Sequence, residues 1–457
     1  MHGYLLLGLL LIAVLFIVLS TVRWKLHPFL ALLLAAFGVG LLSGLPATDT
    51  VSAITDGFGS TLGSIGIVIA AGTIIGSLLE KSGSTHVIAD LVIRGVGKAR
   101  SALAMSITGA IVSIPVFCDS GFVILAPLNR SLASESDSSL ATFAVALSMG
   151  LYTTHVFVPP TPGPIAAAGT LGADLGSVIL LGLVVTVPVV LVTYLFAKMA
   201  GNRIYIDPAE STKTPDEAFD FDESPEEGKG FHRPSSATAL LPILVPMLLI
   251  ALGSIASLPS TPFGKGWVTE GLNFLGDPNT ALIIGVFLAF RTVGSARRGP
   301  EVYGEWVGDG LKNAGTIILI TGAGGAFGSV LRATDIGSFL GQLLSGWHIG
   351  IFLPFLIAAA LKTAQGSSTV AIITTASIML PLLPGAGMAS GLGPVLVTLA
   401  IGAGAMTISH ANDSYFWVVS QFSDMDVSQA YRLQTAGSAV AGITGMIAVF
   451  VLSLFLM

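Results

Sequence analysis

Apolar runs of about twenty residues recur from one end of this chain to the other, the length that an α-helix needs to cross the hydrocarbon core of a bilayer. Only 10% of the 457 residues are charged, against roughly 25% in a soluble domain. Such a chain cannot dissolve as a globule. Strands of alternating polarity are absent, which argues against an outer-membrane barrel, so the expected class is an all-α polytopic membrane protein embedded in lipid. The single cysteine, Cys118, excludes an internal disulfide framework and offers no metal-site spacing. No basic stripe points to nucleic acid. The start, Met1 to Ser20, lacks the positive n-region and small-x-small site of a signal peptide and is followed by Arg23 and Lys25, so it is read as a retained first span.

The second half repeats the first. Gly72-Thr73-Ile74-Ile75-Gly76-Ser77 matches Gly324-Gly325-Ala326-Phe327-Gly328-Ser329 at an offset of 252, and Asp56-Gly57 matches Asp309-Gly310 at 253. Pro127 matches Pro381 at 254, and Thr154-His155 matches Ser409-His410 at 255. Four matches in order predict two repeats, 1–200 and 237–457, joined by a polar linker over 201–236. That linker holds nine of the 26 acidic residues and reads as a solvated connector. With both termini outside, 17 of the 20 Lys and Arg fall in inner loops, including the linker, which satisfies the positive-inside bias. This topology requires residues 102–132 and 351–383 to be re-entrant hairpins, and it inverts one repeat relative to the other. Inverted repeats with broken helices meeting near the midplane belong to secondary transporters.

Four stretches carry polar chemistry at membrane depth, where such groups are expensive and mark a site. The first hairpin tip is Phe117-Cys118-Asp119-Ser120-Gly121-Phe122; re-entrant backbone is tolerated where protein or a water-filled cavity covers it. Asp119 is also placed to cap the second arm. The second tip, Lys362-Thr363-Ala364-Gln365-Gly366-Ser367-Ser368-Thr369, opens a helix whose N–H groups favour an anion. Lys362 is the only cation that this topology puts inside the membrane; it is placed to pair with a substrate carboxylate or a protein acid, or to snorkel outward. The third stretch is the break His155–Pro164, where four prolines in six residues remove four N–H donors. The fourth, 409–415, carries His410, Asn412, Asp413 and Ser414 and is the repeat partner of the third. A histidine titrates at a pKa of about 6.5, so one beside an aspartate is suited to accept a proton. No phosphate-cradling motif supports ATP-driven transport, Ser409-His410 are mere chain neighbours rather than a hydrolase pair, and the paired hairpins and paired breaks fit an intramembrane protease or a channel less well than a transporter. The chain is not read as an enzyme.

At these four stretches the chain resembles the gluconate permease family of sugar-acid:proton symporters, within the wider ion transporter superfamily. The motifs are Val116–Phe122, Pro159–Pro164, Ala364–Ser367 and Ser409–Ser414, and the resemblance spans essentially the whole chain outside the linker. It implies a homodimer in the cytoplasmic (inner) membrane, a scaffold, and a transport part that carries both tips and both breaks in an elevator-like movement. The sodium-coupled dicarboxylate members of the superfamily carry Ser-Asn-Thr at each tip, whereas these tips read Cys-Asp-Ser-Gly and Gln-Gly-Ser-Ser-Thr, a departure that points to protons. The expected substrate is gluconate or a related small hydroxylated monocarboxylate, with a sodium-coupled organic-anion symporter or an anion facilitator as alternatives. Ser120, Gly121, Thr161, Pro162, Gly163, Lys362, Gln365, Gly366, Ser367, Ser368, Thr369, Asn412 and Ser414 are the expected substrate ligands. Asp119, His155, His410 and Asp413 are the expected proton carriers. No metal or cofactor is expected.

Overall fold

The protein is described from a computed structural model over residues 3–97, 100–136, 138–208, 234–257, 263–293, 299, 302–334, 350–411 and 413–457. Most of the acidic linker, 209–233, and Asn412 lie outside the described residues. Within them all regular structure is helical. The first half runs α1 (Gly3–Val22), α2 (Pro28–Leu42), α3 (Ala47–Lys81), α4 (Ser84–Val96), α5 (Ser101–Val112), α6 (Cys118–Glu135), α7 (Leu140–Phe157), α8 (Pro162–Leu171) and α9 (Leu175–Arg203). The second runs α10 (Ser236–Ala256), α11 (Trp267–Gly276), α12 (Pro278–Phe290), α13 (Val307–Ala333), α14 (Phe352–Gln365), α15 (Ser368–Met379), α16 (Gly393–Met406), α17 (Ser414–Phe422), α18 (Val427–Ala430) and α19 (Ala436–Leu456). Five described helices are long and apolar enough to cross a membrane, or seven if two bent pairs each count as one span. Nearly all of Leu140–Leu171 is buried, whereas α9 and α19 expose apolar faces, so the broken segment sits innermost.

The succession of a two-helix hairpin, a broken helix and a long closing helix occurs twice: α5–α9 and α14–α19. Both breaks are set by local chemistry. The first is shorter than expected. α7 continues through His155 to Phe157, and only Val158–Thr161 leave the helix. Pro162 and Pro164 fall in the first turn of α8, where an N–H has no intrahelical acceptor and a proline costs nothing. The second break spans 407–413, starting two residues before the expected 409: α16 ends at Met406, Ile408 takes a positive φ of 57°, and the Asp413 side chain caps α17 by accepting from Tyr415 N at 3.1 Å.

α3 and α13 pack together over much of their length, and glycines allow the closest approaches. A Cβ at Gly57 would stand 2.6 Å from Gly325 O and 2.5 Å from Ser329 Cβ. One at Gly310 would stand 2.8 Å from Ile74 Cα and 3.1 Å from Thr73 O. The start of each helix therefore meets the later part of the other, and they run antiparallel. At one end of the crossing Lys81 pairs with Asp309 at 2.5 Å, and Lys312 joins at 3.2 Å. With more than a third of each side chain of the closer pair exposed, its contribution is about 1 kcal/mol or less. Asp309→Asn is therefore expected to leave the melting temperature almost unchanged; a large drop would mean that the pair is shielded from water.

Candidate functional site

Four helix N-termini issue from the four polar stretches: α6 from the first tip, α8 from the first break, α15 from the second tip and α17 from the second break. α6 packs against α17, and α15 against α8. Each N-terminus carries partial positive charge. Two of the four already have an acid, Asp119 in the first turn of α6 and Asp413 at the cap of α17. α8 offers little, because Pro162 and Pro164 lack N–H groups. That leaves α15, whose first turn contains no acid. Its cap, Ser367, accepts from Val370 N at 3.3 Å and is exposed, while Ser368 and Thr369 are half-buried. Of the four, α15 is the N-terminus with neither an acid nor a proline in its first turn.

Behind the second tip lies a buried ion pair. Lys362 is 0% exposed, and its Nζ stands 2.5 Å from Asp413 Oδ2. The same ammonium donates to the carbonyl of Gly366, which holds a positive φ of 84° at the end of α14. Asp413 Oδ2 also accepts the Ser409 hydroxyl. Lys362 therefore does not snorkel; it ties the second tip to the second break. A buried charge must be paired and hydrogen-bonded, and each partner here meets that condition. The ring of Tyr152 lies 5.9 Å from Lys362 Nζ, and its hydroxyl donates to Ala405 O at 3.4 Å. Tyr152 stacks edge-on against Tyr415, whose hydroxyl donates to Ser148 O at 3.0 Å.

The remaining expected residues divide into two groups. Asp119 does not cap α6, since Phe117 holds that position; it is the second residue of the helix, within electrostatic reach of Asp413 and Lys362. Its Oδ1 is buried with no hydrogen-bond partner among the described residues. His155 is buried, packs on Phe117 at 5.9 Å between ring centroids, and feels the charges of Asp413 and Lys362. Its Nδ1 likewise lacks a partner among the described residues. His410 turns to the second tip, with Nε2 2.8 Å from Thr363 O. Ser414 is exposed and Ser120 half-buried. Others face away from open space. The Thr161 hydroxyl donates to Val158 O at 2.7 Å and closes its own break. Gly121 and Gly163 admit Leu151 and Ile372, whose side chains would stand 2.7 and 3.0 Å from an added Cβ. No cluster of three metal-ligating side chains occurs among the described residues.

Sequence reading missed Ser409 as a partner of Asp413, together with Tyr152 and Tyr415, and it missed Glu80. Glu80, on the last turn of α3, lies near Ser120 of the first tip and beside Lys81 and Asp309. The only available signal was an acid following the repeated glycine segment, and beside Lys81 it reads as a solvated helix end.

The chain is 35% identical to a gluconate permease of Pseudomonas aeruginosa, covering 99% of this chain and 98% of that one. It is 34% identical to the D-serine transporter DsdX of Escherichia coli, covering 97% of each. The fold is similar to the crystal structure of the Alcanivorax borkumensis YdaH transporter, with a TM-score of 0.66 at 16% identity over 94% of this chain and 99% of that one. Residues 5–455 match the family described as GntP family permease. This chain is a membrane transporter that belongs to the GntP permease family.

Proposed function

We propose that this permease imports gluconate or a close hydroxylated monocarboxylate together with protons. The observation that carries the reading is the buried Lys362–Asp413 pair, set beneath an open helix N-terminus at Ser367–Thr369 and within electrostatic reach of Asp119. The substrate carboxylate sits on the α15 N–H groups, where the helix dipole and the cation behind it both favour an anion. Its hydroxyls are met by Ser120, Ser368, Thr369 and Ser414, with Gln365 and Asn412 beside them in the chain. Asp119 and His155, buried groups whose spare atoms are free to take a proton, carry the coupling ion, and His410 guards the second tip. Gluconate permeases among the relatives support the substrate class.

The reciprocal, antiparallel contacts of α3 with α13 support inverted repeats: residues equivalent at the 252–253 offset meet one another's counterparts, as a two-fold axis requires. With both termini outside and the linker cytoplasmic, the tips and breaks move as one transport part against a dimeric scaffold.

Uptake of labelled gluconate into proteoliposomes tests the reading. Accumulation above equilibrium driven by an inward proton gradient is expected. Accumulation that follows sodium and ignores protons would replace the coupling ion, flux without accumulation would make the protein a facilitator, and uptake of D-serine in place of gluconate would move the substrate to that of DsdX.

A further inference from the structure

We infer that Thr435 and Ser438, at the start of the closing helix, are positioning residues: they hold the second break unwound and thereby aim the Ser409 hydroxyl at Asp413. The inference rests on the reading of the Lys362–Asp413 pair as part of the transport site, and it adds two residues from outside all four polar stretches.

A chain that leaves the helix mid-span must find new partners for the backbone groups it frees. In an uninterrupted helix the Ser409 N–H would bond Ala405 O, and the Ser409 carbonyl would accept from Asp413 N. The break pairs these groups otherwise. Ala405 O accepts the Tyr152 hydroxyl at 3.4 Å, and Asp413 N donates to His410 O at 2.8 Å. Ser409 N donates to Ser438 Oγ at 2.8 Å, and Ser409 O accepts the Thr435 hydroxyl at 2.6 Å. The Ser438 hydroxyl spends its own hydrogen on Thr435 O at 2.9 Å. A hydroxyl has one hydrogen and two lone pairs, so every donor in this ring is assigned. Ser409 is 0% exposed, and one turn of the following helix meets both of its backbone groups.

Two features bring those hydroxyls to the break. Thr435, Ser438 and Gly442 follow one another at i, i+3 and i+7, one stripe of a helix. At Gly442 an added Cβ would stand 2.7 Å from Ala403 O, so the stripe lies directly on the end of α16. Thr435 also closes a π-helical turn, Tyr431–Thr435, an irregularity frequent at functional sites. The buried Gln434 of that turn accepts the Ser148 hydroxyl at 2.7 Å and fastens the turn to α7.

Ile408 holds a φ of 57°, which a β-branched residue keeps only where its surroundings over-determine it. The ring of hydrogen bonds around Ser409 is that constraint. With its backbone fixed from both sides, Ser409 sets its hydroxyl on Asp413 Oδ2, the oxygen that Lys362 also holds. Thr435 and Ser438 thus act on the ion pair without touching it.

Proteoliposome uptake, corrected for inserted protein, tests this with labelled gluconate, or with labelled D-serine should the native protein carry that. Thr435→Val keeps the shape and removes the donor; Ser438→Ala removes the acceptor. Each is expected to lower kcat/KM about tenfold, the worth of a buried backbone group left unpaired. Thr435→Ser keeps the hydroxyl and should restore native uptake. Ser409→Ala should lose as much as Thr435→Val, and the double variant no more than either, because both act through one hydroxyl. A merely structural role would lower the melting temperature and leave kcat/KM of the inserted protein alone. If Thr435→Val fails to insert, Ser438→Ala decides by the same comparison with Ser409→Ala. Native kcat/KM in Thr435→Val or Ser438→Ala, failure of Thr435→Ser to restore it, or losses that multiply in the double variant would overturn the inference and leave the site reading standing. Native uptake by Lys362→Met would overturn that reading and the inference with it.

Discussion

Lys362→Met is expected to abolish uptake and to destabilise the protein by about 3–5 kcal/mol, the cost of leaving one member of a buried ion pair without its partner. The side chains of Lys362 and Asp413 are 0% and 7% exposed, so water cannot compensate for the loss. Asp413→Asn strands the ammonium in turn. Its amide would still cap α17 through Oδ1 but would oppose a cation with a neutral group, so this variant should melt early as well as fail to transport. The double variant Lys362→Met, Asp413→Asn removes both charges and should recover most of the lost stability, because a neutral pair of similar volume avoids the desolvation penalty. It should not recover uptake, since the cation behind the α15 N-terminus is gone. Melting in detergent and proteoliposome uptake separate the two effects. Single variants that melt with the native protein would show that the pair is solvated. A double variant that transports would remove the pair from the mechanism.

This pair also marks the limit of what the residues alone disclosed. Polar groups inside apolar runs are anomalies that a sequence displays openly, so both tips and both breaks were legible, and the repeat was legible because its motifs recur at a nearly constant offset. Which side chains meet was not. Lys362 and Asp413 are 51 positions apart, and either could have chosen substrate, lipid headgroup or solvent; only the folding of the second tip onto the second break decides. The edges of the first break were misjudged for a related reason. Pro162 and Pro164 read as helix breakers, yet at the start of α8 their missing N–H groups are no loss. Thr161 and Gly163 carried the right chemistry in a binding stretch, but hydrogen bonding and close packing turn them inward. The close approach of the first tip to α3 was invisible because it depends on Gly76, a glycine whose purpose appears only once Pro115 lies against it.

The antiparallel crossing of α3 and α13 yields the second large effect. At Gly57 and Gly310 an added Cβ would lie 2.5 Å from Ser329 Cβ and 2.8 Å from Ile74 Cα, closer than packed atoms allow. In both cases the obstacle is backbone or the root of a side chain, which cannot rotate away. Overpacking of this kind costs about 1–3 kcal/mol even for small additions, and a leucine at either position demands separation of the two helices. Gly57→Leu and Gly310→Leu should therefore each lower the melting temperature sharply. If the repeats are related by a two-fold axis, the two losses should be similar, because equivalent residues meet equivalent neighbours. They should also be far from additive in the double variant, since one separation of the helices relieves both clashes. Gly59 makes a control on the same helix, two residues from Gly57 and with open space where its Cβ would be; Gly59→Leu should melt with the native protein. A sharp loss for one crossing glycine and none for the other would break the equivalence and leave the repeat a feature of sequence alone.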